Sequence, residues 1–228
     1  MSTTTDFAAL SRVLDERWTC RQFLPDPVPR RDIEQLLRLA QRTPSWCNTQ
    51  PWQVVVTDGA ATERFRKELL THIQSGVGPA PDLEFPAQYT GEYRQRRRDC
   101  GKQLYDSIGI AKGDHERTMK QMVRNFELFD APHVAIITTE ADLGVYGAVD
   151  CGLYINTFLL GAQSLGLAAA PQAALASYSP FLHEYFEIPE HRHVVAGISF
   201  GYADREHPIN TFRTARENVD SVVTWHEV

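Results

Sequence analysis

The sequence predicts an α+β fold, with one sheet, helices around it and a helical excursion inserted midway. Three observations point there. Segments with helical spacing of apolar residues and short β-branched runs alternate irregularly, not as strict strand–helix pairs. No internal repeat or low-complexity tract occurs in the 228 residues. The Pro- and Gly-rich stretch GVGPAPDLEFPAQYTGEY is too long for a simple connection. A single domain over 1–228, with a lid-like excursion at about 76–127, accommodates all three.

Taken in order, Asp6 is placed to cap a first helix whose Phe7, Leu10, Val13 and Leu14 share one face. The prolines of RQFLPDPVP then impose an extended connector. Pro29 suits a helix start, and Ile33, Leu36, Leu37 and Ala40 repeat at helical spacing. A strand is expected over Gln53–Thr57, and a helix over Thr62–Ile73 on Phe65, Leu69 and Ile73. Two helical stretches follow in the excursion, GEYRQRRRDCGKQLYDSI and DHERTMKQMVRNFELF, the second capped by Asp114. PHVAIITTE reads as a buried strand. Leu143 to Leu167 is nearly apolar all round, which calls for burial on several sides, and a subunit interface would supply it. A short helix over Tyr178–Ile188 and a strand in HVVAGISFGYA complete the regular elements.

Composition narrows the function classes. Hydrophobic residues make up 43% and charged residues 23%, ordinary globular usage. A net charge of −6 argues against a nucleic-acid footprint or a polybasic membrane anchor. The N-terminus has no basic head followed by an apolar run, and no window approaches the roughly 20 apolar residues of a membrane span. Cys20, Cys47, Cys100 and Cys151 are far apart and form no CxxC pair, so reduced thiols in a cytoplasm are expected. Cys47 reads as a space-filler beside a site rather than a nucleophile. His191 and His193 would share a strand face, but surface histidines beside a proline turn explain them better than a metal. No GxSxG, HExxH, P-loop or GxGxxG after a strand is present.

Two features remain. PSWCNTQPW, from Pro44, holds prolines, small polar residues and two tryptophans rigidly before a strand. A flat cofactor with many polar edges would use such a loop. Arg17 and Arg21 bracket Thr19, and Arg213 and Arg216 bracket Thr214 near the other end of the chain. Guanidinium groups with a hydroxyl are suited to a phosphate dianion; either pair alone reads better as solvated arginines, and the two pairs together with the PSWCNTQPW loop favour the anion.

These residues, with Arg124-Asn125-Phe126, Leu165-Gly166-Leu167, Pro171-Gln172-Ala173-Ala174, Gly201-Tyr202 and Phe212-Arg213-Thr214-Ala215-Arg216, come in an order that resembles the FMN-dependent nitroreductase family over nearly the whole chain. The resemblance implies a central mixed sheet surrounded by helices and an intertwined homodimer with FMN at the interface. It assigns the phosphate to Arg17, Thr19, Arg21 and Arg216, with Arg213 as a helper. Trp18 falls in the same stretch. Pro44, Ser45, Trp46 and Asn48 would meet the flavin of the partner subunit. Asn125 corresponds to a contact with the pyrimidine edge. The turn Pro171, Gln172, Ala173, Ala174 would lie along the back of the ring. The implied reaction is ping-pong: NADPH or NADH reduces the flavin, which then reduces a small nitroaromatic, with no side chain assigned as acid or base. Quinone or enone reduction, reductive dehalogenation and non-catalytic flavin binding stay open beside it.

Departures from the family pattern sit at Trp18, Trp46 and Cys47. Either the tryptophans reshape the pocket or they face the dimer core. Tyr89, Tyr93 and Tyr105 in the excursion are candidate substrate contacts. Arg96–Arg98 either meet the extra phosphate of a nicotinamide cofactor or form a solvated helix face.

Overall fold

Strands β1 (Gln53–Val56), β2 (His133–Glu140), β3 (Ala168–Gln172) and β4 (Arg192–Gly201) form one sheet in the order β1-β2-β4-β3. The computed structural model describes residues 3–227. All three strand pairings are antiparallel. Among the described residues the parallel component of the expected mixed sheet is an isolated bridge from Thr19 to Ala169 on the β3 edge.

Among the described residues eight α-helices surround the sheet: α1 (Thr3–Glu16), α2 (Arg30–Ala40), α3 (Ala60–Gln74), α4 (Gly91–Ser107), α5 (His115–Val123), α6 (Gly144–Ser164), α7 (Ala173–Ala176) and α8 (Ser179–Phe186). α2 and α6 pack on one face, where Ile33, Leu36, Tyr154 and Phe158 meet Ala135, Ile137, Ile198 and Phe200. α3, α7 and α8 cover the other, with Phe65, Leu69, Leu175 and Leu182 against Val134, Ile136 and Val194. Residues on β2 thus alternate between the two cores, as the period of a strand requires. On β4, Val194 and Ile198 are four apart yet face opposite cores. A bulge explains it: Ile137 pairs with Ala196 and Thr138 with Val194, leaving Val195 as the extra residue.

Close approaches are made at glycines. A Cβ on Gly161 would come within 2.9 Å of Leu36 Cδ1, so this residue lets α6 approach α2. A Cβ on Gly197 would come within 2.3 Å of Leu175 Cδ1, where α7 crosses β4.

Several expectations need correction. Asp6 lies in the first turn of α1, which already begins at Thr3, rather than at its cap. Its charge still suits the positive end of the helix dipole. Ala168–Gln172, expected to lead into a turn, forms a strand with α7 directly after it. Pro171 is tolerated because β3 is an edge strand. α5, capped by the Asp114 carboxylate accepting from Arg117 N at 3.0 Å, ends at Val123. The chain then turns through Leu128, Phe129 and Asp130, all at positive φ. Arg66 on α3 holds this turn by donating to the carbonyls of Glu127 (2.8 Å) and Ala131 (2.6 Å).

α6 corrects one expectation. Ala141–Ser164 is long and apolar enough, by length and composition, to cross a membrane. Here it packs against α2, β2 and β3 and carries the buried Asp150. In the single chain Val145, Tyr146, Val149 and Leu153 form an exposed stripe at helical spacing, the side that the expected subunit interface would cover.

Candidate functional site

Arg17 follows the end of α1, where the chain straightens into the bridge that pairs Thr19 with Ala169. Cys20 N donates to the Ala169 carbonyl at 3.2 Å, which fixes this strip beside β3. The tail returns to the same place because buried Asn210 ties it down. Its side chain accepts from Arg21 N (2.9 Å) and donates to the carbonyls of Gln22 (2.8 Å) and Asp204 (2.7 Å).

The result is one cavity of about 600 Å³ whose walls include Arg17, Trp18, Thr19, Arg21, Arg213, Thr214 and Arg216. Residues almost 200 positions apart in sequence are therefore brought together. Arg205, Gln163, Phe212 and Cys100 also line it, as do Asp15 and Glu16 at its edge. A neighbouring cavity of about 480 Å³ shares Arg17, Trp18, Gln163 and Arg205.

The electrostatics of this cluster are unusual for a surface of ordinary ion pairs. Among the described residues, no carboxylate lies within salt-bridge distance of Arg17, Arg21, Arg205, Arg213 or Arg216. The guanidinium groups lean on neutral acceptors instead. Arg21 donates to the Thr19 carbonyl, Arg213 to the carbonyls of Asn210 and Phe212, and Arg216 to Thr214 Oγ1 at 3.0 Å. Arg213 also lies over the Trp18 ring at 4.3 Å, and Arg21 over Phe212 at 5.5 Å. Burial and then the nearby Arg216 lower the pKa of Arg17; burial lowers that of Arg21; burial and then Arg205 lower that of Arg213. These cations are desolvated and mutually repelled, a state that an anion would relieve.

Arg21 connects this cavity to a smaller one, about 80 Å³, lined by Leu104, Tyr105, Gln121, Met122, Asn125 and Phe129. Asn125 and Gln172 meet directly: Gln172 Nε2 donates to the Asn125 carbonyl at 2.6 Å, while Ser199 Oγ donates to Gln172 Oε1 at 2.5 Å. Gln172 is buried, Pro171 and Ala174 are half-buried, and Ala173 is exposed. The Asn125 side chain turns back to the Met122 carbonyl.

Pro44, Ser45, Trp46 and Asn48 stand apart. None of them is in the walls of the arginine cavities. Their loop lies against the first half of α6, where Trp46 N donates to the Asp150 carboxylate, and the Trp46 ring meets Tyr146 at 4.5 Å. Cys47, Asn48 and Gln50 all adopt positive φ. Ser45 Oγ stabilises the turn by accepting from Gln50 N at 2.8 Å.

Of the excursion residues, Tyr105 reaches the small cavity, while Tyr89 and Tyr93 are exposed under Arg97 and Arg96 respectively. Arg96 also pairs with Glu217 of the tail at 3.0 Å, which binds α4 to the segment carrying Arg216. Burial raises the Cys20 thiol to about 12 and the Cys151 thiol to about 11, so neither is poised as a nucleophile. Arg205, Gln163, Asp150 and Tyr146 were not found from sequence. No local pattern marks them; only the return of the tail and the packing of α6 give them a role.

Comparison with known proteins gives the family and the fold. A family model described as Nitroreductase family matches residues 14–202. The chain is 33% identical over 221 residues to a 4-nitrobenzoate reductase of Nocardioides sp. (strain LMS-CY), covering 95% of this chain and 90% of that protein. It is 34% identical over 227 residues to nitroreductase NfnB of Mycolicibacterium smegmatis (strain ATCC 700084 / mc(2)155), covering 97% and 95%. Among solved structures, FMN-dependent NfnB from Mycobacterium smegmatis in complex with NADPH superimposes with a TM-score of 0.91 at 31% identity, over 96% of this chain and 99% of that one.

Proposed function

The chain belongs to the nitroreductase family, and from that premise we propose that it is an FMN-dependent NAD(P)H oxidoreductase that reduces nitroaromatic compounds. The observation that carries the reading is the set of arginines converging on one cavity without carboxylate partners. Their chemistry fits a phosphate dianion, which supplies the charge they lack.

In this reading Arg17, Arg21 and Arg216 hold the phosphate with Thr19, while Arg213 braces Trp18 and completes the positive wall. Asn125, whose backbone carbonyl accepts from Gln172 and whose side-chain nitrogen donates to the Met122 carbonyl, leaves its side-chain oxygen to meet the ring's pyrimidine edge. Pro171, Gln172, Ala173 and Ala174 line the back of the ring, where the strand-to-helix junction leaves backbone N–H groups at the start of α7. FMN, when bound, supplies the two-electron chemistry linking the nicotinamide to the nitro group. The protein's part is to bind, orient and exclude water.

Pro44, Ser45, Trp46 and Asn48 are assigned to the flavin of a second copy. Their absence from the walls of the arginine cavities in one chain supports this, as does the exposed apolar stripe of α6. Phe7, Leu10 and Leu14 of α1 and Val219, Val222 and Trp225 of the tail are exposed too. So much uncovered apolar surface is typical of an interface. The assembly is thus a homodimer of single-domain subunits, each with residues 76–127 as a lid, working in the cytoplasm.

Steady-state kinetics test the reaction. Parallel double-reciprocal lines for NADPH at several fixed nitroaromatic concentrations are expected for a ping-pong cycle. Intersecting lines would refute it, and a flavin that neither nicotinamide reduces would leave only flavin binding.

A further inference from the structure

The loop after Pro44 holds Cys47, Asn48 and Gln50 at φ values of 51°, 56° and 48°. Three non-glycine residues in the left-handed region are costly, and such a turn persists only when its surroundings hold it. Several of its hydrogen bonds are internal, such as Gln50 N to Ser45 Oγ and Thr49 N to the Trp46 carbonyl. The centre of the loop is tied to the body by α6. Tyr146 and Asp150 are one turn apart on that helix and share a face. Tyr146 takes the Trp46 ring at 4.5 Å, and Asp150 takes the Trp46 N–H on both carboxylate oxygens at 3.2 Å.

Asp150 is only 5% exposed, and among the described residues Trp46 N is the sole donor to its carboxylate. A buried carboxylate matched only by a neutral N–H is expensive. An aspartate in a helix interior, beside apolar residues that pack the core, adds nothing to the fold that an apolar residue would not. Its specific contribution is the position of Trp46. That ring is 60% exposed, so one side rests on Tyr146 while much of the rest is presented outward.

We propose that Tyr146 and Asp150 are positioning residues that set Trp46 as an aromatic wall on which the acceptor stacks, making Trp46 specificity-determining for aromatic substrates. The proposal rests on the assignment of the Pro44–Asn48 loop to the flavin site. A flat acceptor gains a face-on contact with the indole, and a compact inorganic acceptor does not.

The test uses the holoenzyme with nitrobenzene and ferricyanide as acceptors, in Asp150→Ala, Asp150→Asn and Tyr146→Ala. Asp150→Ala and Tyr146→Ala should raise KM for nitrobenzene by about threefold to tenfold, the scale of one aromatic contact, with a much smaller change for ferricyanide. Asp150→Asn keeps an oxygen that accepts the Trp46 N–H and should recover most of the loss. Equal shifts for both acceptors, or Asp150→Asn as impaired as Asp150→Ala, would overturn the proposal. Tyr146 is more than half exposed in the single chain, so its variant retains the subunit fold if the buried one does not, and light scattering checks that the dimer survives, since Tyr146 is on the α6 stripe. An unchanged nitrobenzene KM in Tyr146→Ala would then decide against the proposal. A wild-type protein without reducible flavin would instead defeat the reading of the site. Hydrogen exchange at Cys47–Gln50 would separate the two: faster exchange in Tyr146→Ala supports the grip, and unchanged exchange rejects it.

Discussion

Replacing Arg17 with Ala should weaken FMN binding and stabilise the FMN-free protein at the same time. Arg17 sits in the cavity with Thr19, Arg21, Arg213 and Arg216, partly desolvated and repelled by Arg216. One charge-assisted hydrogen bond contributes about 1.5–3 kcal/mol, so losing it should raise the FMN Kd by about 10-fold to 150-fold. Without the anion, the same guanidinium crowds like charges and lacks a carboxylate partner, so its removal should raise the Tm of the apoprotein. The assay is fluorescence titration of apoprotein with FMN and with riboflavin, alongside thermal melts. Riboflavin lacks the phosphate, so its Kd should hardly move in the variant, and the preference for FMN should shrink by the same factor. An unchanged FMN Kd, or equal losses for FMN and riboflavin, would refute the phosphate assignment.

Gly197→Ala places a Cβ 2.3 Å from Leu175 Cδ1 in a fully buried contact and should cost about 1–3 kcal/mol in urea unfolding, without changing flavin content. His133 accepts from Val28 N at 2.9 Å and is fully buried, so burial lowers its pKa below 6.5 although the Thr57 carbonyl and Asp58 oppose that shift. The unfolded chain takes up that proton first, so stability should fall as pH drops below 6.5, and His133→Gln should flatten the fall. His183 behaves oppositely: burial opposes its charge, but the Ile188 carbonyl and Asp82 carboxylate, each 2.9 Å from a ring nitrogen, outweigh it and raise the pKa. Its contribution is complete below 6.5 and lost as pH rises through the folded value, so His183→Gln should lose stability mainly on the acid side. Urea midpoints measured against pH check both. Val149→Asp, on the exposed stripe of α6, should shift the species in light scattering from dimer to monomer; an unchanged dimer would move the interface elsewhere.

Much of the fold was legible because its signals are local. Pro29 marks the start of α2, Asp114 caps α5, and the β-branched runs mark β1 and β2. β3 was not legible, because AAAPQ has neither alternation nor β-branched residues and owes its strand to pairing with β4. The end of α5 was missed for a similar reason: Arg66, nearly 60 residues earlier in the chain, holds the turn that stops it. In the site, the paired arginines at 17/21 and 213/216 pointed to an anion only in combination with the PSWCNTQPW loop, and what the structure adds is that both pairs line one cavity. Arg205 carried no such mark, and it joins them only because Asn210 folds the tail back. Asp150 lies inside an apolar stretch with no local mark of a role; the contact with Trp46 N is set by tertiary packing alone.

The most direct test of the account is an anaerobic absorbance titration of the purified protein, first with NADPH and then with a nitroaromatic. The account predicts a flavin band that bleaches with about one equivalent of NADPH per bound flavin and returns when the nitroaromatic is added. A protein without the band, or a band that survives NADPH, would contradict it.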